Sequence, residues 1–176
     1  MIFVTLGSQK FQFNRMLIEI DKLIDKGKIT EEVFAQIGAS DYKPKNFKYS
    51  DFLTQDEFKN YMKNADLVIT HAGTGAIVTA LKNDKLVVAI PRLAKYGEHV
   101  DDHQVQLIDE FKELNFIEPV YETEQLADAL ELVRKNKYNK YVSNTRNIIE
   151  DIEKFIEKWR DTINENRYKK HDFSTI

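Results

Sequence analysis

A dense group of polar side chains lies between Pro91 and Leu107, in the stretch PRLAKYGEHVDDHQVQL. It contains Arg92, Lys95, Glu98, His99, Asp101, Asp102, His103 and Gln104. A sugar ring needs such a mixture of donors and acceptors, because each of its hydroxyls is both. His99 and His103 are also spaced as metal ligands, with carboxylates beside them. A third interpretation is a solvated loop that ends where Asp101 or Asp102 caps a helix. The residue types alone leave all three open.

A second candidate site is the stretch THAGTGAIVTALKNDKLVVAIP, residues 70–91. It reads as a strand end, a glycine turn, a helix and another strand. Glycine allows a ligand to approach the backbone closely, and the free amides at the start of a helix attract an anion. Gly73 and Gly75 could equally serve only a tight turn and close helix–sheet packing. The pattern is neither G-x-G-x-x-G nor a Walker A loop, so both interpretations stand.

Short apolar runs alternate with helical patterns along the chain, which predicts an α/β fold: a Rossmann-like, doubly wound parallel sheet of about six strands. Strands are expected at 2–6, 33–37, 67–69 and 86–90, with weaker ones at 47–49 and 116–117. Helices are expected at 14–26, from Thr54 onward, and at 75–83, 101–114, 123–135 and 141–166. If the first and fourth strands are neighbours, the turn Leu6-Gly7-Ser8 faces the same crevice as the turn that begins at His71.

Composition restricts the function classes. The net charge of −3 gives no general attraction to nucleic acid or to an anionic membrane. The chain has no cysteine, so thiolate chemistry and disulfides are excluded. It shows no signal-peptide pattern and no apolar run long enough to span a bilayer. We therefore expect a soluble cytosolic protein with one domain, residues 1–165, followed by a polar tail, residues 166–176.

Three motifs, in this order, resemble the glycosyltransferase family 28 C-terminal domain group: VTLGSQ…FNRML, ADLVITHAGTGAIVTAL and VAIPR…GEHVDDHQ. The resemblance extends from residue 1 to about residue 160. It is greatest to the short members, which are bacterial capsule and exopolysaccharide transferase subunits and the cytosolic catalytic subunit of the eukaryotic two-part UDP-GlcNAc transferase. It implies the C-terminal half of a GT-B enzyme, the half that binds a UDP-sugar donor.

The resemblance also implies site residues. Those expected around the donor diphosphate are Gly7, Ser8, His71, Gly73, Thr74 and Gly75. Those expected near the donor sugar or nucleotide are Thr79, Arg92, Glu98, Asp102, His103 and Gln104. Gln104 matches the glutamine that often contacts hexose hydroxyls in GT-B enzymes. Many GT-B donor domains carry a glutamate that grips the ribose where Thr79 stands here, so ribose recognition departs from the family pattern.

The implied chemistry is inverting transfer from a UDP-sugar to a hydroxyl acceptor, with no cofactor and no catalytic metal. Helix N-termini and other donors would stabilise the departing diphosphate. The chain offers His103, Glu98 and His99 as candidates for the general base, although in GT-B enzymes the base often comes from the other half. A non-catalytic nucleotide-sugar-binding or scaffolding module on the same fold is the alternative function. An epimerase fits less well, because epimerases carry both halves in one chain.

The missing half implies a separate, membrane-anchored subunit that binds the acceptor. A cytoplasmic chain would then lie at the membrane only through that partner. The predicted C-terminal helix presents an apolar stripe formed by Ile148, Ile152, Phe155, Ile156, Trp159 and Ile163. Trp159 and Ile163, at its far end, are the candidates for the partner contact. Packing of the stripe on the chain's own sheet is the competing interpretation.

Overall fold

The computed structural model describes residues 1–143, in which six parallel strands form one sheet. The strands are β1 (Ile2–Thr5), β2 (Val33–Gln36), β3 (Lys48–Ser50), β4 (Leu67–Thr70), β5 (Leu86–Ala89) and β6 (Glu118–Pro119). Their spatial order is β3-β2-β1-β4-β5-β6. This order places β1 beside β4, so the predicted Rossmann-like sheet is confirmed. Residues 1–141 form one compact unit, and the residues from 142 onward belong to a second.

Helices cover both faces of the sheet. They are α1 (Asn14–Asp25), α2 (Gln55–Asn64), α3 (Thr74–Lys82), α4 (His103–Glu113) and α5 (Leu126–Lys135), with short 3₁₀ turns at Ala94–Tyr96 and Thr123–Gln125. Thr54 begins α2 as predicted, because its side chain accepts from the backbone N–H of Glu57 and the Glu57 carboxylate bonds back to it. No helix within residues 1–143 has the length and apolarity needed to cross a membrane.

Two apolar cores, one on each side of the sheet, explain why the strands read as continuous apolar runs. Ile2 and Val4 point into the core that contains the buried residues of α1 and α5. Phe3, between them, points into the other core, with Met62 of α2 and Ile77 of α3. Successive residues of a strand face opposite sides. In a strand covered on both faces, the residues on both sides are therefore buried, and most of them are apolar.

Several element boundaries differ from the sequence prediction by a few residues, and for β6 and α4 the structure shows the cause. The sixth strand is Glu118–Pro119, not 116–117. Asn115 takes a left-handed φ of 53° at the end of α4, and the Phe116 N–H still bonds to the Phe111 carbonyl, so pairing with β5 starts only at Glu118. Helix α4 begins at His103 instead of residue 101, because a 3₁₀ turn and a loop precede it.

The predicted helix at 141–166 falls almost wholly outside the described residues. Residues 141–143 are not helical. The apolar stripe, Trp159, Ile163 and the expected domain boundary at residue 165 all lie beyond residue 143 and remain predictions.

Candidate functional site

The turns after β1 and β4 form one open cleft at the carboxyl edge of the sheet. It has a volume of about 430 Å³. Its lining residues are Thr5, Gly7, Ser8, Gln9, Gln36, Phe58, His71, Gly73, Gly75, Ala76 and Thr79. Thr5 and Thr70 are paired in register at the ends of the two strands, so the turns that follow them must face each other. Parallel sheets bind ligands at this kind of switch point.

The His71 ring lies between the two glycine turns. A Cβ added to Gly7 would lie 2.7 Å from the Cε1 atom of His71, and one added to Gly73 would lie 2.9 Å from the same atom and closer still to Nε2. Gly7 also has a φ of 74°, which favours glycine. Gly75 is different, because a Cβ added there would meet no atom within 4 Å. Gly7 and Gly73 therefore make room for the imidazole, while the space around Gly75 opens into the cleft.

His71 is a neutral side chain held in one orientation. Its Nδ1 lies 3.2 Å from the Thr5 carbonyl, so Nδ1 carries the proton and Nε2 is left as an acceptor. Burial, assisted by the positive charge of Arg92, lowers the pKa of His71 to about 4, although the Thr5 bond opposes the shift. In this form His71 positions the two turns and donates no hydrogen bond to a phosphate through Nε2.

Donors for an anion come instead from the start of α3. Gly73 is its N-cap residue and gives no side-chain cap. The N–H groups of Ala76 and Ile77 bond to the Gly73 carbonyl. The N–H groups of Thr74 and Gly75 have no such partner among residues 1–143. Free first-turn amides and the positive end of the helix dipole together favour a phosphate.

Thr79 lies one turn further along α3 and lines the same cleft. Its hydroxyl donates to the Gly75 carbonyl at 2.6 Å, so it can offer a ligand only an acceptor. A second hollow of about 310 Å³ adjoins the cleft and shares Gln36, Phe58 and Thr79 with it. Leu53 and Thr54 extend this hollow toward α2.

Arg92 and Glu98 are interior residues that hold the loops together. Arg92 is fully buried, and its Nη2 donates to the carbonyls of Leu6 at 2.7 Å and of Phe11 at 3.0 Å. Burial lowers the pKa of Arg92 to about 10, an effect that nearby Glu98 opposes. The Glu98 side chain is 1% exposed. Its two oxygens accept from Arg15 Nε at 2.7 Å and from the Leu93 N–H at 3.1 Å.

These contacts correct two expectations about the polar stretch. Arg92 is neither part of a solvated loop nor open to a donor sugar, because its guanidinium is enclosed. Glu98 does not have the access that a general base needs, because both of its oxygens are occupied. Lys95 is exposed and forms an ion pair with Glu122. The charged side chains of this stretch thus separate into an inner and an outer set.

The remaining residues of the stretch lie where β5 leads into α4. The Gln104 side-chain oxygen accepts from the Arg92 N–H at 2.9 Å. Asp102 occupies the N-cap position of α4, but its carboxylate bonds to the Ala94 N–H instead of capping the helix. His99, Asp101 and His103 converge on one another. None of these five side chains lines the cleft at the glycine turns, although His99 is near enough to affect the His71 pKa.

Gln36 and Arg15 are site-forming residues that sequence reasoning missed. Gln36 ends β2, donates from Nε2 to the Gly7 carbonyl at 3.2 Å and accepts from the Leu53 N–H. The sequence could have indicated Gln36 as a site residue, because it is a polar residue at the carboxyl end of a buried strand. Arg15 lies in the first turn of α1, within the quoted FNRML motif. Only the structure reveals that its partner is Glu98, 83 residues away.

The strand order and the helices on both faces give this chain a Rossmann-like fold of the type found in GT-B glycosyltransferases. The chain belongs to glycosyltransferase family 28, since the model of the family's C-terminal domain matches residues 1–159. It is 33% identical over 75 residues to the UDP-N-acetylglucosamine transferase subunit ALG13 of Candida albicans, a match that covers 40% of this chain and 24% of that protein.

Two solved structures are similar. The glycotransferase of kitacinnamycin superposes with a TM-score of 0.56 at 17% identity, covering 75% of this chain and 34% of its own. The glycosyltransferase SnogD from Streptomyces nogalater has a TM-score of 0.49 at 20% identity, covering 76% of this chain and 38% of its own. The first supports the fold. The chain spans well under half the length of each of these relatives.

Proposed function

We propose that this chain is the donor-binding catalytic subunit of a UDP-sugar glycosyltransferase. The observation that carries the proposal is the cleft between the glycine turns, where the free amides of Thr74 and Gly75 are available to an anion. Family 28 membership supports sugar transfer as the reaction class. Diphosphate is the natural anion for such a site, because a nucleotide-sugar donor has to be held by its leaving group.

The hollow beside the cleft suggests how the donor lies. With the diphosphate at Gly73–Gly75, the nucleoside would extend past Thr79 toward Leu53 and Phe58, where apolar surface suits a base. The sugar would extend the other way, toward Gln104, Asp102 and His103 on the β5–α4 side. This arrangement uses the full carboxyl edge of the sheet from β2 to β5.

Transfer in this proposal is inverting and needs no catalytic metal. The start of α3 would stabilise the charge that develops on the departing UDP, and the positively charged, buried Arg92 beneath Leu6 would add to the same field. Of the local candidates for the base, Glu98 is enclosed and the His99 side chain is only 7% exposed, which leaves His103 as the accessible one. A base from the acceptor-binding half is the other source.

The partner in this proposal is a membrane-anchored subunit that binds the acceptor. Two observations support it: the matched family model is that of a C-terminal domain, and the similar Candida albicans protein is named as a transferase subunit. The setting we propose is cytoplasmic, with the chain peripheral to the membrane, in the synthesis of capsule, exopolysaccharide or another lipid-linked glycan. Trp159 and Ile163 are its candidate contacts with the partner.

Thr79 favours the second candidate function, a non-catalytic nucleotide-sugar-binding module. Its hydroxyl is already bonded to the Gly75 carbonyl, so it grips a ribose more weakly than a carboxylate would. Such a module would bind UDP and transfer no sugar. Sugar transfer by the chain with its partner that is lost in a His103→Ala or Gln104→Ala variant would eliminate this candidate.

The proposal is tested by calorimetric titration of the full chain with UDP and with a panel of UDP-sugars. Gly75→Val is the informative variant, because it places a branched side chain in the cleft without touching His71. Asp56→Val, at the matching second position of the exposed α2 turn, is the control. We expect binding that Gly75→Val abolishes and Asp56→Val retains. Equal binding by both variants, or no binding by the wild type, would refute the donor site at this cleft.

A further inference from the structure

Three side chains at the start of α4 converge in a way that the donor site does not require. Both His99 Nδ1 and His103 Nδ1 contact the same carboxylate oxygen, Oδ1 of Asp101. The His99 contact measures 3.2 Å. The ligand atoms that the three side chains offer lie within 4.8 Å of one another.

Packing and backbone contacts hold this cluster in shape. The His99 side chain is 7% exposed and packs against the Phe11 ring, with ring centroids 5.2 Å apart. The His103 ring lies 4.8 Å from the His99 ring. The Asp101 N–H faces His99 Nδ1 at 3.4 Å, and the His103 N–H donates to Asp101 Oδ1 at 3.2 Å. The group is therefore preorganised on one side and open to solvent on the other, where His103 and Asp101 are exposed.

The Asp101 carboxylate faces a ring nitrogen of each histidine, so in the metal-free cluster a proton lies between each nitrogen and Oδ1. Because metal ligands must be deprotonated, a divalent cation bound here would replace those protons and take both ring nitrogens and the carboxylate oxygen as ligands. Two imidazole nitrogens and one carboxylate oxygen are the ligand set that Zn²⁺ takes up in open, three-ligand sites. The His99–Asp101 separation of 3.2 Å is close to the edge of a tetrahedron with metal–ligand bonds of about 2.0–2.1 Å, which is roughly 3.3 Å. The His103–Asp101 contact is shorter, so the exposed His103 ring must move outward when a metal binds.

We propose that His99, Asp101 and His103 form a binding site for a divalent transition-metal cation of the zinc class, with water completing the coordination. The neighbouring Asp102 is not part of the set, because its carboxylate bonds to the Ala94 N–H. The site goes beyond the proposed sugar transfer, in which no metal takes part, and a cation bound here would leave the general base of that transfer to the acceptor-binding half. Its binding is measured without donor or partner, so its failure and that of the proposed function are separable.

The test is calorimetric titration of the full chain with Zn²⁺ in a non-chelating buffer. Asp101→Asn and His103→Asn each remove one ligand at an exposed position, and Asp102→Asn makes the same chemical change one residue away. His171→Ala removes the histidine that lies outside the described residues. Replacing a residue that only supports a metal ligand already costs about 10–100-fold in affinity, so losing a ligand should cost at least tenfold.

We expect Asp101→Asn and His103→Asn to weaken Zn²⁺ binding at least tenfold, while Asp102→Asn and His171→Ala bind like the wild type. Thermal melts of the Asp101→Asn, His103→Asn and Asp102→Asn variants should match the wild type, since these three side chains are exposed. The proposal is overturned if the wild type does not bind Zn²⁺, if Asp101→Asn binds as well as the wild type, or if the affinity follows His171.

Discussion

The side-chain oxygen of Gln104 accepts a hydrogen bond from the backbone N–H of Arg92 at 2.9 Å, which fixes the amide of Gln104 in one orientation. Its nitrogen has no hydrogen-bond partner among residues 1–143. Gln104 can therefore present N–H donors to a sugar hydroxyl, while its oxygen is already engaged by Arg92. The sequence resemblance indicated only that Gln104 contacts a hexose. The structure adds that the side-chain nitrogen of Gln104 is a hydrogen-bond donor with a defined direction.

Gln104→Glu should weaken the binding of UDP-sugars and leave the binding of UDP unchanged. A glutamate can still accept from the Arg92 N–H, but it loses both donors. One such hydrogen bond is worth roughly 1 kcal/mol, so we expect about a fivefold loss. Titrations with UDP and with a UDP-sugar measure the difference. Gln106→Glu, an exposed change of the same kind on the same helix, is the control. Equal losses for the two ligands would show that Gln104 does not contact the sugar.

Gly73→Ala should destabilise the fold, whereas Gly75→Ala should not. The new methyl group at residue 73 overlaps the His71 ring, and forcing such an overlap costs about 1–3 kcal/mol. At residue 75 the methyl meets no atom, and alanine favours a helix by up to about 1 kcal/mol. Urea denaturation at neutral pH measures both. Similar stabilities of the two variants would contradict the packing of His71 between the turns.

Stability should fall in mild acid because of His71. Its folded pKa of about 4 lies below the ordinary value of 6.5, so the unfolded chain takes up a proton first. The contribution of neutral His71 to the free energy of unfolding is complete above pH 6.5 and is lost as the pH falls toward 4. The maximum loss is roughly 3 kcal/mol. Denaturation curves at about pH 7 and about pH 5 for the wild type and for His71→Asn isolate this effect. An equally steep decline in the variant would show that other groups cause it.

Arg15→Met should destabilise the protein more than an ordinary surface substitution does. It leaves the buried Glu98 carboxylate without its ion pair, a change that costs roughly 3 kcal/mol. The double variant Arg15→Met, Glu98→Gln should recover part of that loss, because it removes the unpaired charge. Lys135→Met, which breaks an exposed pair with Glu131, should cost less than about 0.5 kcal/mol. If the double variant loses as much stability as Arg15→Met and Glu98→Gln lose separately and summed, the two side chains are not coupled.

Thr79→Glu should tighten UDP binding if the ribose lies where we place it. A carboxylate at this position can accept from the ribose hydroxyls, and a bond to a charged group is worth about 1.5 kcal/mol, or roughly tenfold. The gain should disappear with 2′-deoxy-UDP. Thr79→Ala should change UDP affinity little, since the hydroxyl is already bonded to Gly75. Weaker binding by Thr79→Glu would place the ribose elsewhere.

The strands could be predicted because a parallel sheet covered on both faces leaves its apolar residues in unbroken runs, as in Ile2–Thr5. The sixth strand could not be located, because Glu118 and Pro119 carry no apolar signal and only the turn at Asn115 sets where pairing begins. The pairing of the two glycine turns followed from the order of the strands. The sequence did not reveal why two of the glycines are needed. Gly7 and Gly73 accommodate the ring of His71, which is 64 positions from Gly7 and two from Gly73.

The polar stretch shows a second limit of sequence reasoning. Glu98 and Asp102 are both carboxylates four residues apart, yet one is buried against Arg15 and the other is exposed. Residue type gives the charge, but the direction of each side chain depends on loop geometry. The spacing of His99 and His103 already allowed the interpretation that they converge as metal ligands. The structure shows that the carboxylate that joins them is that of Asp101.

The two outer strands have a consequence for how this domain meets other chains. At one edge, β6 pairs over two residues only, and one of these is Pro119, which has no N–H to donate. At the other edge, β3 is three residues long and begins with the exposed Lys48. Short strands, proline and lysine at an edge all oppose the addition of a further strand. The sheet is thus closed to growth on both sides, and we expect a subunit that joins it to bind through loops and side chains rather than by extending the sheet.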